Sequence, residues 1–434
     1  MLAARRALTS IPSSASKAYS TTAAAQISKA QNGVTVASIE EAGPTAGLSV
    51  VVNGGSRLES SKGVAHFLKN YGFKNNTKRT AFRITRETEL AGGVLSANLT
   101  RESIVYSAEF LSGDAAQFAE VLGDVVSSQK FQDHEFGDVL QQTAAESANA
   151  ASSAEVAVFE AAHTAAFRSG LGNSIFATPA GKVNNAAVKS YAAELFKSGN
   201  IALVGAGLPL EAVQKFAETY INVPAGSSSV PAAKYFGGES RVEAASANSH
   251  LILAFEGAPL NSAEYAAAQV LRFALGGEQR VQWAAGAGLL GEAAAKLGEG
   301  AELKAFNVGY SDAGLFGVYA SAPSAGIASA AAAAAEQLKA VAGGVSEQVF
   351  ASALAQAKFA AVSGFETRLD RLETVGSQAL LAGKYTSAAD AAAALDKVSA
   401  SDVAKVAEKL LSGKATTAAL GDLYSLPYGD SLSL

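Results

Sequence analysis

The chain contains no cysteine. That excludes disulfides, thiolate zinc sites, iron–sulfur ligation and a cysteine nucleophile. Its one methionine is Met1, and its four histidines are His66, His134, His163 and His250. With ligands this few, the chain is poorly equipped to hold a haem or any other redox centre, and no cofactor is expected. Charge is also sparse: charged residues make up 17% and hydrophobic residues 49%, which excludes a disordered chain. The net charge of −5 leaves no basic stripe, so nucleic acid is not an expected partner. Long apolar runs are missing too. The most apolar helical stretch, Ile327 to Ala342, is mostly alanine and is broken by Glu336 and Lys339. A membrane span needs about 20 strongly apolar residues. Association with a membrane is therefore expected through partners.

What is present is enough chain, 434 residues, for two or three ordinary domains, and abundant alanine, which favours helix. The first acidic residue is Glu40, and before it come Arg5, Arg6, Lys17 and Lys29 among many serines and threonines. A basic, serine-rich, acid-free start has the composition of a mitochondrial targeting segment. Residues 1–19 are expected to be that segment, with cleavage between Tyr19 and Ser20.

The rest of the chain repeats one plan. Val188 to Phe196 reads as a helix stopped by Ser198-Gly199, followed by a buried strand from Ile201 to Gly205. Val403 to Leu411 reads as a helix stopped by Ser412-Gly413, followed by a strand from Ala415 to Gly421. Glycine just past a helix accepts the left-handed conformation that ends it. The starts correspond as well: strand Leu48–Val52 then helix Lys62–Tyr71, against strand Leu251–Phe255 then helix Ser262–Leu275. Leu95 to Phe110 and Leu303 to Ala322 each read as a strand pair. One long helix is expected over 138–167 and another over 347–381. Pro224 to Ser229 is a flexible linker by composition. The expected division is 20–223, a linker over 224–243, and 244–434. The expected fold is α+β: two homologous halves, each a mixed, mainly antiparallel sheet packed with helices.

The chemistry is concentrated in Gly63-Val64-Ala65-His66-Phe67-Leu68-Lys69-Asn70, preceded by Gly55-Ser56-Arg57-Leu58-Glu59 and followed by Phe73-Lys74. This frame resembles the pitrilysin-like family, which includes the mitochondrial processing peptidase subunits. Active members carry H-x-x-E-H here. Two histidines one helical turn apart bind zinc from one face, and the glutamate activates a zinc-bound water. In this chain the first ligand position is His66, the base position is Lys69 and the second ligand position is Asn70. An ammonium cannot take a proton from water. It also repels a dication, by about 8 kcal/mol at about 4 Å and an effective dielectric of about 20. An amide is a poor zinc ligand beside imidazole. A distal glutamate ligand belongs on a later helix; Glu146, 76 residues beyond Asn70, falls near the family's spacing, though the local alignment leaves that position open. His66 thus reads as a packed or hydrogen-bonded helix residue, with no catalytic and no metal site expected.

Other motifs carry less. Gly286-Ala287-Gly288-Leu289-Leu290-Gly291 matches G-x-G-x-x-G but follows no convincing hydrophobic strand, so it reads as a turn. Thr367 to Glu373 alternates Arg with Asp and Glu and reads as a solvated or interface-facing helix surface.

Inactive members of the resembled family include the processing peptidase α subunit and the core proteins of respiratory complex III. Gly276 to Gly291 does not reproduce the dense glycine run of the α subunit. Ala305 to Gly317 and Val375 to Leu380 resemble the core proteins, although the first of these segments is shared with processing subunits. The resemblance implies a non-redox scaffold subunit of complex III. Its implied partners are core protein 1 and other complex III subunits, as a heterodimer within a dimeric complex. It would be peripheral to the mitochondrial inner membrane on the matrix side. The alternative it implies is a non-catalytic presequence-binding subunit of the processing peptidase.

Overall fold

The computed structural model describes residues 25–178, 182–278 and 286–432. The expected targeting segment and its cleavage bond lie outside these residues. The first sheet is built from β1 (Gln26–Lys29), β2 (Thr35–Ile39), β3 (Thr45–Asn53), β4 (Val94–Leu99), β5 (Ser103–Leu111) and β6 (Ile201–Ala206). Its order is β1-β2-β6-β3-β5-β4. Only β2 and β6 pair in parallel; every other neighbour is antiparallel. The second sheet holds β7 (Gly238–Glu243), β8 (Asn248–Gly257), β9 (Glu302–Gly309), β10 (Gly314–Pro323) and β11 (Thr416–Gly421), in the order β7-β11-β8-β10-β9. Here β11 and β7 are the parallel pair. The two sheets therefore share one plan, as the repeat in the sequence implies. The last six residues of the stretch expected as linker are not loop; they form the edge strand β7.

The helices of the first half are α1 (Val64–Asn70), α2 (Ala81–Leu90), α3 (Ala115–Ser127), α4 (Asp133–Ser152), α5 (Ala154–Phe167), α6 (Asn185–Leu195) and α7 (Leu210–Tyr220). Those of the second are α8 (Ala263–Leu275), α9 (Leu289–Leu297), α10 (Ile327–Ala342), α11 (Glu347–Ser363), α12 (Arg368–Leu381), α13 (Ala388–Leu395) and α14 (Ala400–Ser412). None of the described helices is long and apolar enough to cross a membrane.

The long helix expected in each half is two helices. Ser153 ends α4 and caps α5, its hydroxyl accepting the Val156 N–H at 3.5 Å. Gly364 follows the last residue of α11, and the Thr367 hydroxyl accepts the Asp370 N–H at 3.2 Å to start α12. These caps compete with helix continuation at the break. Each break lets the second helix cross to the other half.

Strand alternation explains what it finds there. In β3, Leu48, Val50 and Val52 face the helices of their own half, whereas Val51 faces away. That away face, with Ala37, Val105, Ala202 and Val204, packs on Leu372, Val375 and Ala379 of α12. In β8, Leu251, Leu253 and Phe255 face their own half's helices, while Ile252 and Ala254 meet Val158, Ala162 and Phe167 of α5. Each half thus lends one helix to the other's sheet, and the central strands of both sheets are buried on both faces.

Polar ties cross the seam between the halves. The Arg57 guanidinium, its side chain 3% exposed, donates to Glu102 at 2.7 Å and to both Asp312 oxygens at 2.8 and 2.6 Å. Arg368 donates to Thr45 at 3.0 Å, and Arg371 pairs with Glu41. Of the two readings of the charged stretch from Thr367 to Glu373, the interface-facing one is what its arginines adopt.

Candidate functional site

Helix α1 starts where Glu59 and Gly63 let it. Gly63 is the N-cap at φ 88°, and a Cβ there would lie 2.7 Å from Ala177 Cα, so only glycine fits. The Glu59 carboxylate accepts the Gly63 N–H at 2.9 Å. Val64, Ala65, Phe67 and Leu68 bury the helix in the first half's core. His66, Lys69 and Asn70, spaced three and four apart, are left to share the face opposite α4.

All three meet Glu146 of α4. Its Oε2 lies 2.6 Å from His66 Nε2, 2.7 Å from Lys69 Nζ and 3.1 Å from Asn70 Nδ2. Gln142 Nε2 donates to Glu146 Oε1 at 3.2 Å and to Asn70 Oδ1 at 3.2 Å. Asn70 Nδ2 also donates to the Thr143 hydroxyl at 2.9 Å. Glu146, the candidate for the distal glutamate, thus lies against all three motif residues. Gln142, Thr143 and the Ala177 amide were not legible as part of the cluster. The first two could have been found from their place on the same helix as Glu146, one turn before it.

The electrostatics follow from burial and partners. The side chains of His66, Lys69 and Glu146 are 4%, 15% and 34% exposed. Burial pushes the Glu146 pKa upward, but hydrogen bonds from Lys69, His66, Asn70 and Gln142 outweigh it and hold the carboxyl at about 2. Burial lowers the His66 pKa, with Lys69 reinforcing it and Glu146 opposing it. The ring is neutral, and its tautomer is determined: the Ala177 N–H donates to Nδ1 at 3.2 Å, so the proton sits on Nε2 and is donated to Glu146. Phe176 sets its ring edge against the imidazole, 5.9 Å between centroids.

This donor set does not fit a zinc ion. A zinc-bound histidine turns a lone pair to the metal and donates its other N–H to a neighbour. His66 does the reverse. Lys69 offers only N–H bonds, and the Asn70 amide turns its NH2 to Glu146. Among the described residues, no three His, Asp or Glu side chains gather as a metal-holding group. Nor does the cluster offer a base: a carboxylate accepting four donors and held at about 2 is poorly suited to take a proton from water near neutral pH.

Two family models match the chain: insulinase (peptidase family M16) over residues 35–179, and the peptidase M16 inactive domain over residues 182–357. The chain belongs to the M16 peptidase family. The second match begins before β6, which the structure places in the first sheet. Within this family the chain is 39% identical to the mitochondrial cytochrome b-c1 complex subunit 2 of Neurospora crassa, over 93% of this chain and 90% of the relative. It is 32% identical to the Homo sapiens protein of that name, over 94% of this chain and 92% of the relative. A chain from the solved structure of Complex III2 from Candida albicans with Inz-5 bound has the same fold, with a TM-score of 0.82 at 18% identity, covering 94% of this chain and 98% of that one.

In the G-x-G-x-x-G stretch, Gly286 and Gly288 both take positive φ, as a turn does. The Gly277 N–H donates to the Ala287 carbonyl at 2.6 Å, and Leu289 already opens α9. The residues 279–285 that precede the motif lie outside the described ones.

Proposed function

We propose that this chain is core protein 2 of mitochondrial respiratory complex III: a non-catalytic subunit needed to assemble the complex that passes electrons from ubiquinol to cytochrome c. The observation that carries it is similarity over nine-tenths of the chain to proteins named cytochrome b-c1 complex subunit 2. The fold shared with a chain of Complex III2 supports the same assembly. The cluster at His66, Lys69, Asn70 and Glu146 supports a non-catalytic role, because it lacks a base and a second imidazole.

The partners in this reading are core protein 1, in a heterodimer that the dimeric complex contains twice, and other complex III subunits. Permanent interfaces of this kind bury over about 2,000 Å². The chain sits peripherally at the inner membrane, on the matrix side, held by those partners. Residues 1–19 serve as its targeting segment, 20–223 and 238–434 as the two homologous halves, and 224–237 as the connection. No cofactor is held.

The test is native electrophoresis of mitochondria lacking the protein. Loss of the assembled complex and of ubiquinol–cytochrome c activity is expected. Normal amounts of active dimeric complex would refute the scaffold role. Intact complex with accumulating unprocessed precursors would point to a presequence-binding subunit of the processing peptidase.

A further inference from the structure

A metal site joins its helices by turning lone pairs onto a central cation. The cluster between α1 and α4 is built the other way round. Its centre is an anion, the Glu146 carboxylate, and its periphery is N–H groups. His66 Nε2–H, Lys69 Nζ and Asn70 Nδ2 reach Oε2 from α1, at 2.6, 2.7 and 3.1 Å. Gln142 covers Oε1 at 3.2 Å from within α4. We infer that Lys69 is a built-in replacement for the family's metal ion: its ammonium supplies the positive charge that ties α1 to α4, so this wall of the molecule is complete without metal.

The departures from the family motif are consistent with one another on this reading. Replacing a base by lysine turns a group that repels Glu146 into one that binds it. Replacing the second imidazole by Asn70 adds a donor to Glu146 and also an acceptor, which takes the Gln142 N–H at 3.2 Å. The Ala177 amide completes the inversion by holding the His66 proton on Nε2, facing the carboxylate. A site that had only lost its base would leave Glu146 without a cation. Here the lysine is 15% exposed and committed to that one carboxylate. Charge-assisted hydrogen bonds of this length are the stronger ones in proteins.

The inference rests on the non-catalytic reading of this site and not on the assembly the chain joins. Thermal unfolding of the isolated full chain therefore tests it separately from the electrophoresis above. Lys69→Met is expected to lower the melting temperature by about 2–5 °C. Glu146→Gln should lower it as well, and the double variant should lose less than the two single losses added, because the partners act as a pair. Equimolar zinc should leave the melting of the unaltered chain unchanged. Equal melting of Lys69→Met and the unaltered chain, or a zinc-induced rise in the unaltered chain, would overturn the inference. Should Lys69→Met fail to fold, the imidazole nitrogen shifts of His66 in the unaltered chain decide it. A proton on Nε2 supports the inverted site, and a proton on Nδ1 overturns it.

Discussion

The Tyr310 hydroxyl donates a hydrogen bond to His163 Nε2 at 2.8 Å, joining residues 147 positions apart and on opposite sides of the repeat. The other ring nitrogen, Nδ1, donates its proton to the Phe159 carbonyl at 2.8 Å. His163 is thus held in the tautomer opposite to that of His66. Both rings are neutral, and each is spoken for at both nitrogens.

Burial pushes His163 down to about 3, with Arg101 acting in the same direction and the Phe159 carbonyl against it. The unfolded chain protonates this residue near its ordinary 6.5. Below that pH the unfolded state binds the extra proton first, so stability present above about 6.5 is lost as pH falls toward 3. The loss from this residue is at most about 5 kcal/mol. Urea unfolding of His163→Gln across that range should show a flatter acid limb than the unaltered chain. Parallel limbs would count against the assignment.

Gly376 places α12 against the first sheet. A Cβ there would lie 2.4 Å from Val51 Cγ2 and 3.0 Å from Val204 Cγ2. Gly376→Ala should therefore destabilise the chain by about 1–3 kcal/mol through overpacking, despite the better helix propensity of alanine. An unchanged or raised urea midpoint would show that α12 does not seat on β3 in this way.

Glu59 should produce a slope of the opposite sign. Burial raises its pKa to about 7, against the Gly63 and Ala65 N–H groups and Lys62. The folded state keeps this proton up to about 7, while the unfolded chain releases it near 4.5. The stabilising contribution is full below about 4.5 and declines as pH rises to 7. Relative to the unaltered chain, Glu59→Gln should gain up to about 3 kcal/mol between acid and mildly alkaline pH. Denaturant unfolding at the two pH extremes measures it; a pH-independent difference would sink the prediction.

N-terminal sequencing of the protein purified from mitochondria should begin at or near Ser20. The acid-free run carrying Arg5, Arg6 and Lys17 is the reason. A mature chain that still starts at Met1 would exclude removal of residues 1–19.

The two-half plan was legible because its signals are local. Strand periodicity at Leu48–Val52 and Leu251–Phe255 depends on neighbours in sequence. The motif positions His66, Lys69 and Asn70 were legible for the same reason, since helical spacing alone puts them on one face. The left-handed glycine stops expected after α6 and α14 do not form: α6 already ends at Phe196, and Gly413 is extended at φ −81°. The breaks at Ser153 and Gly364 were harder to see. Both lie in alanine-rich sequence that would propagate helix, and the capping hydroxyls of Ser153 and Thr367 are weak signals among many serines and threonines.

By itself the sequence determined the repeat, the degenerate motif and the scarcity of ligands for a redox centre, since each follows from residue type and short spacing. Only the tertiary structure decided the exchange of α5 and α12, because a helix is drawn to whichever apolar sheet face remains uncovered, and that face is created by strands distant in sequence. Only the tertiary structure placed Glu146 against His66, Lys69 and Asn70 and put the His66 proton on Nε2. The tautomer depends on which backbone amide, here that of Ala177, folding brings to the other nitrogen.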